Sequence, residues 1–284
     1  METNLLVALK NIAKNPNNDL DAQYNSSLNR VNGMGEALEF YIKDIFSNTL
    51  SEKDLSKKEK VYSEYFSYLG NQNNPPDIII KSGDAIEVKK HIGLRAGGLA
   101  LNSSYPKDFL YSDSPMITAA CRESEQWSKK DLIYAVGSIV DNKIKSLWFV
   151  YGNCYAASRE VYEKIRGAIA TGVNALPDIE FGDTNELGRV NKVDPLGITD
   201  LRIRGMWGIK HPARVFDYLP ETIIDPDFKV NAIMLTSKYD SFPKADRDNL
   251  EKLASKSLLI KDVKIKSPNN PAIFLEAKLI RFSK

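Results

Sequence analysis

Two β-rich runs around a two-residue turn constrain the fold of this chain more than any other segment. The runs DLIYAVGSIV (131–140) and KIKSLWFVYG (143–152) flank Asp141 and Asn142. Asp and Asn tolerate the left-handed backbone that a tight hairpin turn requires, so the segment predicts an antiparallel hairpin. Segments with helical spacing of apolar residues lie on both sides of it in the chain. We therefore expect an α/β fold, a mixed β-sheet flanked by helices.

The remaining secondary structure is predicted from periodicity and from residues that begin or end helices. For one helix, Ser158 is the expected cap and Gly172 the expected stop. Predicted helices cover residues 1–16, 33–46, 51–70 (as a helix or a helix plus loop), 116–130, 158–172 and 244–256. Predicted strands cover residues 229–236, 258–266 and 272–282. Since no internal repeat or convincing linker divides the chain, residues 1–284 are expected to form a single domain.

Composition excludes several classes of protein. An apolar fraction of 43% and a charged fraction of 27% are typical of a globular domain, and no window approaches eighteen consecutive apolar residues, which argues against a membrane span. Cys121 and Cys154 are the only cysteines, so reduced thiols and a cytoplasmic location are expected. Two histidines without partner cysteines do not predict a zinc site. A net charge of +2 means that any phosphate binding must come from local basic clusters.

The stretch NNPPDIIIKSGDAIEVKKH (73–91) predicts a second hairpin that carries charges. Because side chains of a strand alternate between faces, Glu87 and Lys89 share the face away from the core. A three-residue loop, 81–83, with Gly83 in the left-handed conformation places Asp77 opposite Glu87. Directly opposed residues have Cβ atoms about 4.5 to 5.5 Å apart, close enough for two carboxylates to hold one divalent cation.

This arrangement suits metal-dependent phosphodiester hydrolysis. Carboxylate oxygens are preferred ligands of Mg²⁺, so Asp77 and Glu87 are the candidate metal ligands. Lys89 would orient or help to deprotonate the attacking water and offset negative charge in the transition state. The alternative is a solvated hairpin face, because Glu-x-Lys alone is a weak signal. A second copy at Glu276 and Lys278 lacks a preceding Pro-Asp and is interpreted as a chance match.

Pro76-Asp77 and Glu87-Val88-Lys89 resemble the motif of the PD-(D/E)XK nuclease superfamily. Longer segments in the same order resemble the NgoPII-type restriction endonucleases: NGMGEALEFYIKDIF, YLGNQNNPPD, GDAIEVKK, LALNSSYPK, ELGRVNKVDPL and RIRGMWGI. The resemblance extends to about Phe216. It implies a restriction-endonuclease-like core at about residues 30–155, and a type II restriction endonuclease that cuts double-stranded DNA within the palindrome GGCC using Mg²⁺.

The resemblance also implies roles for individual residues. Asp77 and Glu87 would bind metal, and Lys89 would take the role of the superfamily lysine. A further acid from the first core helix often joins the metal cluster in this superfamily. Glu39 is favoured over Glu36 because Gly35 followed by Glu39 is closer to the usual pattern. The alternative is that both are surface glutamates of one helix.

DNA recognition is predicted for a region at about residues 185–216, which is rich in arginine and glycine. Arginine or lysine reads guanine best, and aspartate or glutamate reads cytosine, so a GGCC reader needs both kinds of side chain. A second polar segment, LNSSYPK, suits phosphate oxygens. The alternatives are a solvated charged strand face, a capped turn and, for Trp207, a position in the core. The candidates are Asn102, Ser103, Ser104, Lys107, Arg189, Asn191, Lys192, Asp194, Arg202, Arg204 and Trp207.

A palindromic target has two scissile phosphates related by a two-fold axis, which favours a homodimer with C2 symmetry. A cytosine methyltransferase is the expected genetic partner. Two other functions remain open at this point. One is a structure-specific DNA nuclease of the resolvase or repair type, and the other is a DNA-binding module that has lost cleavage.

Overall fold

The computed structural model describes residues 2–20, 24, 33–71, 74–93, 96–101 and 104–284. Within these ranges a mixed sheet of nine strands forms the centre of the molecule, in the order β1-β2-β3-β6-β7-β11-β13-β12, with β5 beside one end of β6. The pairs β3–β6 and β7–β11 are parallel, and the other pairs of this sheet are antiparallel. The strands of the central sheet are β1 Phe66–Asn71, β2 Asn74–Ile80, β3 Ala85–Ile92, β5 Phe109–Tyr111, β6 Lys129–Val140, β7 Lys143–Tyr151, β11 Lys229–Leu235, β12 Leu258–Lys266 and β13 Phe274–Ser283.

Two small ribbons lie outside the central sheet. One pairs β4 (Gly98–Ala100) with β10 (Gly208–Lys210), and the other pairs β8 (Gly188–Val190) with β9 (Leu201–Ile203). The helices are α1 Leu5–Lys14, α2 Gly33–Ser47, α3 Leu55–Tyr65, α4 Ala119–Glu123, α5 Arg159–Asn174, α6 Pro212–Val215, α7 Thr236–Ser241 and α8 Lys244–Glu251. None of the helices in the described ranges is long and apolar enough to cross a membrane.

The core lies between the central strands and helices α1 and α2. Phe149 and Tyr41 are among the largest fully buried side chains there, and Phe149 packs edge-on against Phe46 of α2. The opposite face of the sheet is covered as well, since Trp148 stacks on Phe216 after α6. Helix α2 approaches the sheet closely where Leu38 lies over Gly137 of β6, since a Cβ at Gly137 would stand 2.8 Å from Leu38 Cδ2. Helix α2 also packs against β3, and this contact brings the helix to the strand that carries Glu87.

The predicted α/β class and mixed sheet are confirmed. In the first hairpin Val140 pairs with Lys143, while Asp141 (φ 47°) and Asn142 (φ 60°) both adopt the left-handed conformation. That is a type I′ turn, as the sequence predicts. Cys121 and Cys154 are free, buried thiols.

Several helix predictions are wrong in extent. The predicted helix at 51–70 ends at Tyr65, because residues 66–71 pair with β2 as an edge strand. Of the predicted helix at 116–130 only Ala119–Glu123 forms, since β6 begins at Lys129 in order to pair with β5. Helix α5 continues past Gly172 to Asn174, and the helix predicted at 244–256 ends at Glu251. In the first two cases long-range strand pairing outweighs local helical spacing.

Candidate active site

Strands β2 and β3 set the geometry of the candidate active site. They pair antiparallel, with Ile78 opposite Ile86 and Ile79 opposite Ala85. The same register places Asp77 beside Glu87, as the hairpin pattern predicts. Asp77 is also tied to the neighbouring strand, because its Oδ2 accepts a hydrogen bond from the Val88 N–H at 2.6 Å.

The loop that joins these strands differs from the prediction in one detail. Ser82, not Gly83, has the left-handed conformation, with φ 55°. Ser82 is held there because its N–H donates to the Glu125 carboxylate at 2.8 Å. The loop still spans residues 81–83, since the Ile80 N–H donates to the Asp84 carbonyl at 3.0 Å. The register of β2 with β3 is therefore the predicted one, although the geometry of the turn differs.

Glu87 and Lys89 form an ion pair on one face of β3. Lys89 Nζ lies 2.6 Å from Glu87 Oε1. The other carboxylate oxygen, Oε2, is buried and has no hydrogen-bond partner among the described residues. A buried carboxylate oxygen without a donor is costly, and a cation bound at this oxygen would remove that cost.

The electrostatics of the cluster show an excess of negative charge. Burial raises the pKa of Asp77 well above its usual range, and the Glu87 carboxylate raises it further, against an opposing effect of Lys89. Burial alone would lower the pKa of Lys89, but Glu87 and Asp77 outweigh burial, so its pKa is raised. Lys89 is the lysine paired directly with these crowded carboxylates, while Lys43 and Lys107 act on them electrostatically. Crowding of Asp77 against Glu87 favours binding of an additional cation.

Glu39 lies on α2 at the margin of this cluster. Burial raises its pKa, Lys43 opposes the increase, and the charges of Lys89 and Glu87 also act on it. Glu39 in turn contributes to the raised pKa of Asp77. Within the described ranges, no three Asp, Glu, His or Cys side chains lie close enough to hold a metal ion. The structure therefore brings Asp77, Glu87 and Lys89 together and leaves Glu39 beside them; the choice between Glu36 and Glu39 stays a prediction.

A second buried carboxylate fixes the position of α2. Asp44 is fully buried and accepts hydrogen bonds from Tyr24 Oη (2.7 Å), Thr49 Oγ1 (2.6 Å) and Tyr62 Oη (2.5 Å). It also forms an ion pair with Lys58 Nζ at 2.5 Å. These contacts tie α2 to α3 and therefore hold the helix that presents Glu39.

One cleft connects the acidic cluster to the predicted recognition region. Its volume is about 1020 Å³. The β2–β3 hairpin forms one wall and the segment around β8 and β9 forms the other. The charged lining residues are Asp77, Glu87, Lys89, Asp183, Glu186, Arg189, Arg202 and Arg204. The structure thus brings three of the predicted DNA-binding arginines into the space that contains the candidate catalytic residues.

Arg202 and Arg204 meet at a residue that the sequence analysis did not single out. Arg202 Nε and Nη2 donate to Glu186 at 3.0 and 2.7 Å, and Arg204 Nε donates to the same carboxylate at 2.5 Å. The two arginines therefore lie on one side of the β8–β9 hairpin, as predicted. Glu186 could have been found from the pairing of β8 with β9, but no turn motif marks that pairing in the sequence.

Two aspartates hold the conformation of the loop between β8 and β9 through hydrogen bonds. The Asp194 carboxylate accepts the N–H groups of Leu196 (3.0 Å), Ile198 (3.1 Å) and Thr199 (2.7 Å). Asp200 accepts the Lys192 N–H at 3.1 Å and forms an ion pair with Arg189 at 3.0 Å. Asp194, predicted as a cytosine reader, thus caps its own turn in this structure. Asn191 and Lys192 are exposed to solvent.

The predicted phosphate-binding segment is placed only in part. Asn102 and Ser103 lie outside the described residues. Ser104 lines the cleft, whereas Lys107 is buried behind it and donates to Ser104 Oγ and to the Tyr105 carbonyl (3.2 Å). Burial lowers the pKa of Lys107 to about 8. Lys107 therefore contacts the loop itself in this structure, not the open surface of the cleft.

Two further contacts fix the wall of the cleft that contains Ser104. Trp207 is partly buried and packs edge-on against Tyr105 and Tyr162, with ring centroids 6.1 and 5.8 Å away. Its contacts in this structure are with aromatic side chains of the protein, and its contact with DNA stays a prediction. At Gly152 a Cβ would collide with the backbone oxygens of Lys107 and Asp108, so the turn after β7 abuts the Ser104 loop backbone to backbone.

Comparison with known proteins adds independent information. The model of the NgoPII restriction endonuclease family matches residues 3–266. The type II restriction enzyme NgoPII of Neisseria gonorrhoeae is 44% identical over 281 residues, which cover 98% of this chain and 99% of that protein. A search of solved structures gives no significant match. The predicted resemblance and the predicted enzyme class, a type II restriction endonuclease, are both confirmed. The chain belongs to the NgoPII restriction endonuclease family.

Proposed function

We propose that this protein hydrolyses phosphodiester bonds of double-stranded DNA within the palindrome GGCC and requires Mg²⁺. The observation that carries the proposal is the cleft in which Asp77, Glu87 and Lys89 face the arginines of the β8–β9 hairpin. Negative charge at one wall suits a metal ion, and positive charge at the other suits a nucleic acid. The palindrome itself is supported by the motif resemblance.

The residues of the acidic wall fit Mg²⁺. Glu87 Oε2 is a buried oxygen without a partner among the described residues, and Asp77 lies beside Glu87 with its charge only partly offset by Lys89. Mg²⁺ commonly binds through one or two carboxylates and keeps several waters, so these two ligands suffice. When bound, the ion would lower the pKa of a water and stabilise charge on the leaving oxygen. Glu39 of α2 is the proposed third acidic residue of this metal site.

Side chains of the protein supply the rest of the proposed chemistry. Lys89, held 2.6 Å from Glu87, orients the attacking water and offsets negative charge on the phosphate. Asp77 is kept in place by the Val88 N–H, so the two carboxylates keep a fixed separation. Ser104 contributes a hydroxyl at the edge of the cleft, suited to a phosphate oxygen.

We assign recognition of the DNA sequence to the wall of the cleft formed by β8 and β9. Arg202, Arg204 and Arg189 offer the fork of donors that guanine N7 and O6 accept. Since the target is a palindrome, we propose that the enzyme acts as a C2 homodimer that presents one cleft to each strand. A cytosine methyltransferase that protects the same palindrome would be its genetic partner.

Digestion of plasmid DNA tests the proposal directly. With Mg²⁺ we expect discrete fragments, and sequencing of their ends should return one short palindrome, GGCC; with EDTA no cutting is expected. A four-way junction and a matched linear duplex serve as comparison substrates. Preferential cutting of the junction would support a structure-specific nuclease, and binding without cutting would support a DNA-binding module. Either result would contradict the proposal.

A further inference from the structure

Glu186 is the least exposed member of a three-residue cluster in the cleft. Its side chain is 13% exposed, whereas those of Arg202 and Arg204 are 55% and 54% exposed. Both of its oxygens are engaged, because Oε2 accepts from Arg202 Nε while Oε1 accepts from Arg202 Nη2 and Arg204 Nε. Glu186 therefore supports the two arginines from behind, and its carboxylate already accepts three hydrogen bonds.

The contacts leave a particular part of Arg202 available. A guanidinium has five N–H groups, of which Glu186 receives the one on Nε and one on Nη2. The remaining edge, formed by Nη1 and Nη2, is the pair of donors that can span guanine N7 and O6. Fixing one edge of a planar fork also fixes the direction of the other, so less side-chain entropy is lost when a base is bound.

Glu186 also affects binding to DNA of any sequence. Two free guanidinium groups would attract phosphates wherever the protein lands, but the carboxylate reduces the charge of the trio to that of one cation. A phosphate is attracted mainly by the net positive charge of the trio, which Glu186 lowers, whereas a correctly placed guanine also depends on the fixed direction of the Nη1–Nη2 edge. The same residue thus weakens non-specific contacts and favours the specific one.

We propose that Glu186 is a positioning residue for sequence discrimination, which holds Arg202 as a bidentate guanine reader and restrains Arg202 and Arg204 from non-specific phosphate contacts. This inference rests on the proposed cleavage of a short palindrome. It concerns only the ratio of rates on cognate and altered sites, so it can fail while cleavage itself stands.

The test compares Glu186→Gln with wild-type protein. Single-turnover cleavage rates are measured on the palindrome that wild type cuts and on duplexes changed at one base pair. Glu276→Gln is the matched control, because it removes the same charge from an exposed pair with Lys264 on β12 and β13. We expect Glu186→Gln to lower the ratio of cognate to altered-site rates by about tenfold or more, the size of one lost bidentate contact. The control should keep the wild-type ratio.

Two further measurements separate positioning from a general structural effect. The slope of log affinity against log salt for a non-cognate duplex should steepen by about one in Glu186→Gln, since freed guanidinium groups then contact phosphate. Arg202→Lys, which keeps the charge but not the fork, should lose discrimination similarly, and the double variant should lose no more. An unchanged ratio in either single variant, or an equal loss of rate on every duplex, would overturn the inference. Absence of cutting by wild type would overturn the proposed function instead.

Discussion

Asp44 and Asp77 are aspartates whose partners give them opposite roles. Asp44 is fully buried but accepts three hydroxyl hydrogen bonds and an ion pair with Lys58. Asp77 receives one backbone N–H and faces a second carboxylate, so its pKa is raised by burial and by Glu87. Where protein donors satisfy the carboxylate, it stabilises the fold. Where donors are too few, the site favours a cation from outside the chain.

The largest effect that separates the two sites is expected in cleavage. Asp77→Asn and Glu87→Gln remove a metal ligand while keeping the shape of the side chain, so the single-turnover rate should fall by roughly a thousandfold or more. Asp262→Asn, which changes an exposed carboxylate paired with the partly buried Lys278, is the matched control and should cut at the wild-type rate. Near-normal cleavage by folded Asp77→Asn would contradict the catalytic assignment.

The next largest effect is expected in stability. Asp44→Asn leaves the buried Lys58 without its partner, and the free energy of unfolding should fall by about 3 to 5 kcal/mol. Urea denaturation measures this change. The exposed pair of Asp248 with Lys244 offers a control, since Asp248→Asn should change stability by less than about 1 kcal/mol. If Asp44→Asn were as stable as wild type, the structural role of this site would be wrong.

The effect of Mg²⁺ on thermal stability should distinguish the Asp77 site from the Asp44 site in the absence of DNA. Binding to the native state alone stabilises a protein, by about 2.7 kcal/mol when the metal is at a hundred times its dissociation constant. We expect Mg²⁺ to raise the melting temperature of wild type but not that of Asp77→Asn or Glu87→Gln. The destabilised Asp44→Asn variant should keep the full metal-dependent increase. Equal increases in all of these variants would place the metal elsewhere.

The smallest effect is a gain in stability. Because the folded pKa of Asp77 is raised, its ionised form costs stability at neutral pH, and this cost disappears as pH falls through the folded pKa toward the ordinary value. Without metal, Asp77→Asn should therefore be more stable than wild type at pH 7. Denaturation at pH 7 and near pH 4 should show the difference shrink. A difference that grows at low pH would reverse the sign of this argument.

The sequence predicts the features that depend on local patterns. Alternation and turn residues give the hairpin at 131–152 and the register of Asp77 with Glu87, and helical spacing gives α2. It cannot predict the surroundings of Asp44, since Tyr24 comes from one segment and Lys58 and Tyr62 come from another, α3, and no shared motif links them to Asp44. The burial of Lys107 is missed for a similar reason, because the loop that contains it is fixed by distant strands.

Glu186 shows the same limit in the recognition region. Its pairing with Arg202 and Arg204 depends on β8 and β9, which are three residues each and are separated by a loop with no simple turn signal. The region could be recognised as basic, and the arginines could be named. The direction of the two arginine side chains depends on Glu186, which no sequence motif distinguishes from the other acidic residues.

The close approach at Gly152 has a consequence for how this cleft can change over time. Any side chain at that position would push on the backbone of Lys107 and Asp108, so the wall that contains Ser104 cannot be adjusted by small substitutions there. The opposite wall is a short ribbon with exposed arginines, where a side chain can be exchanged without moving a backbone. If the ribbon reads sequence as proposed, we expect new sequence preferences to arise there while the wall that contains Ser104 keeps its backbone.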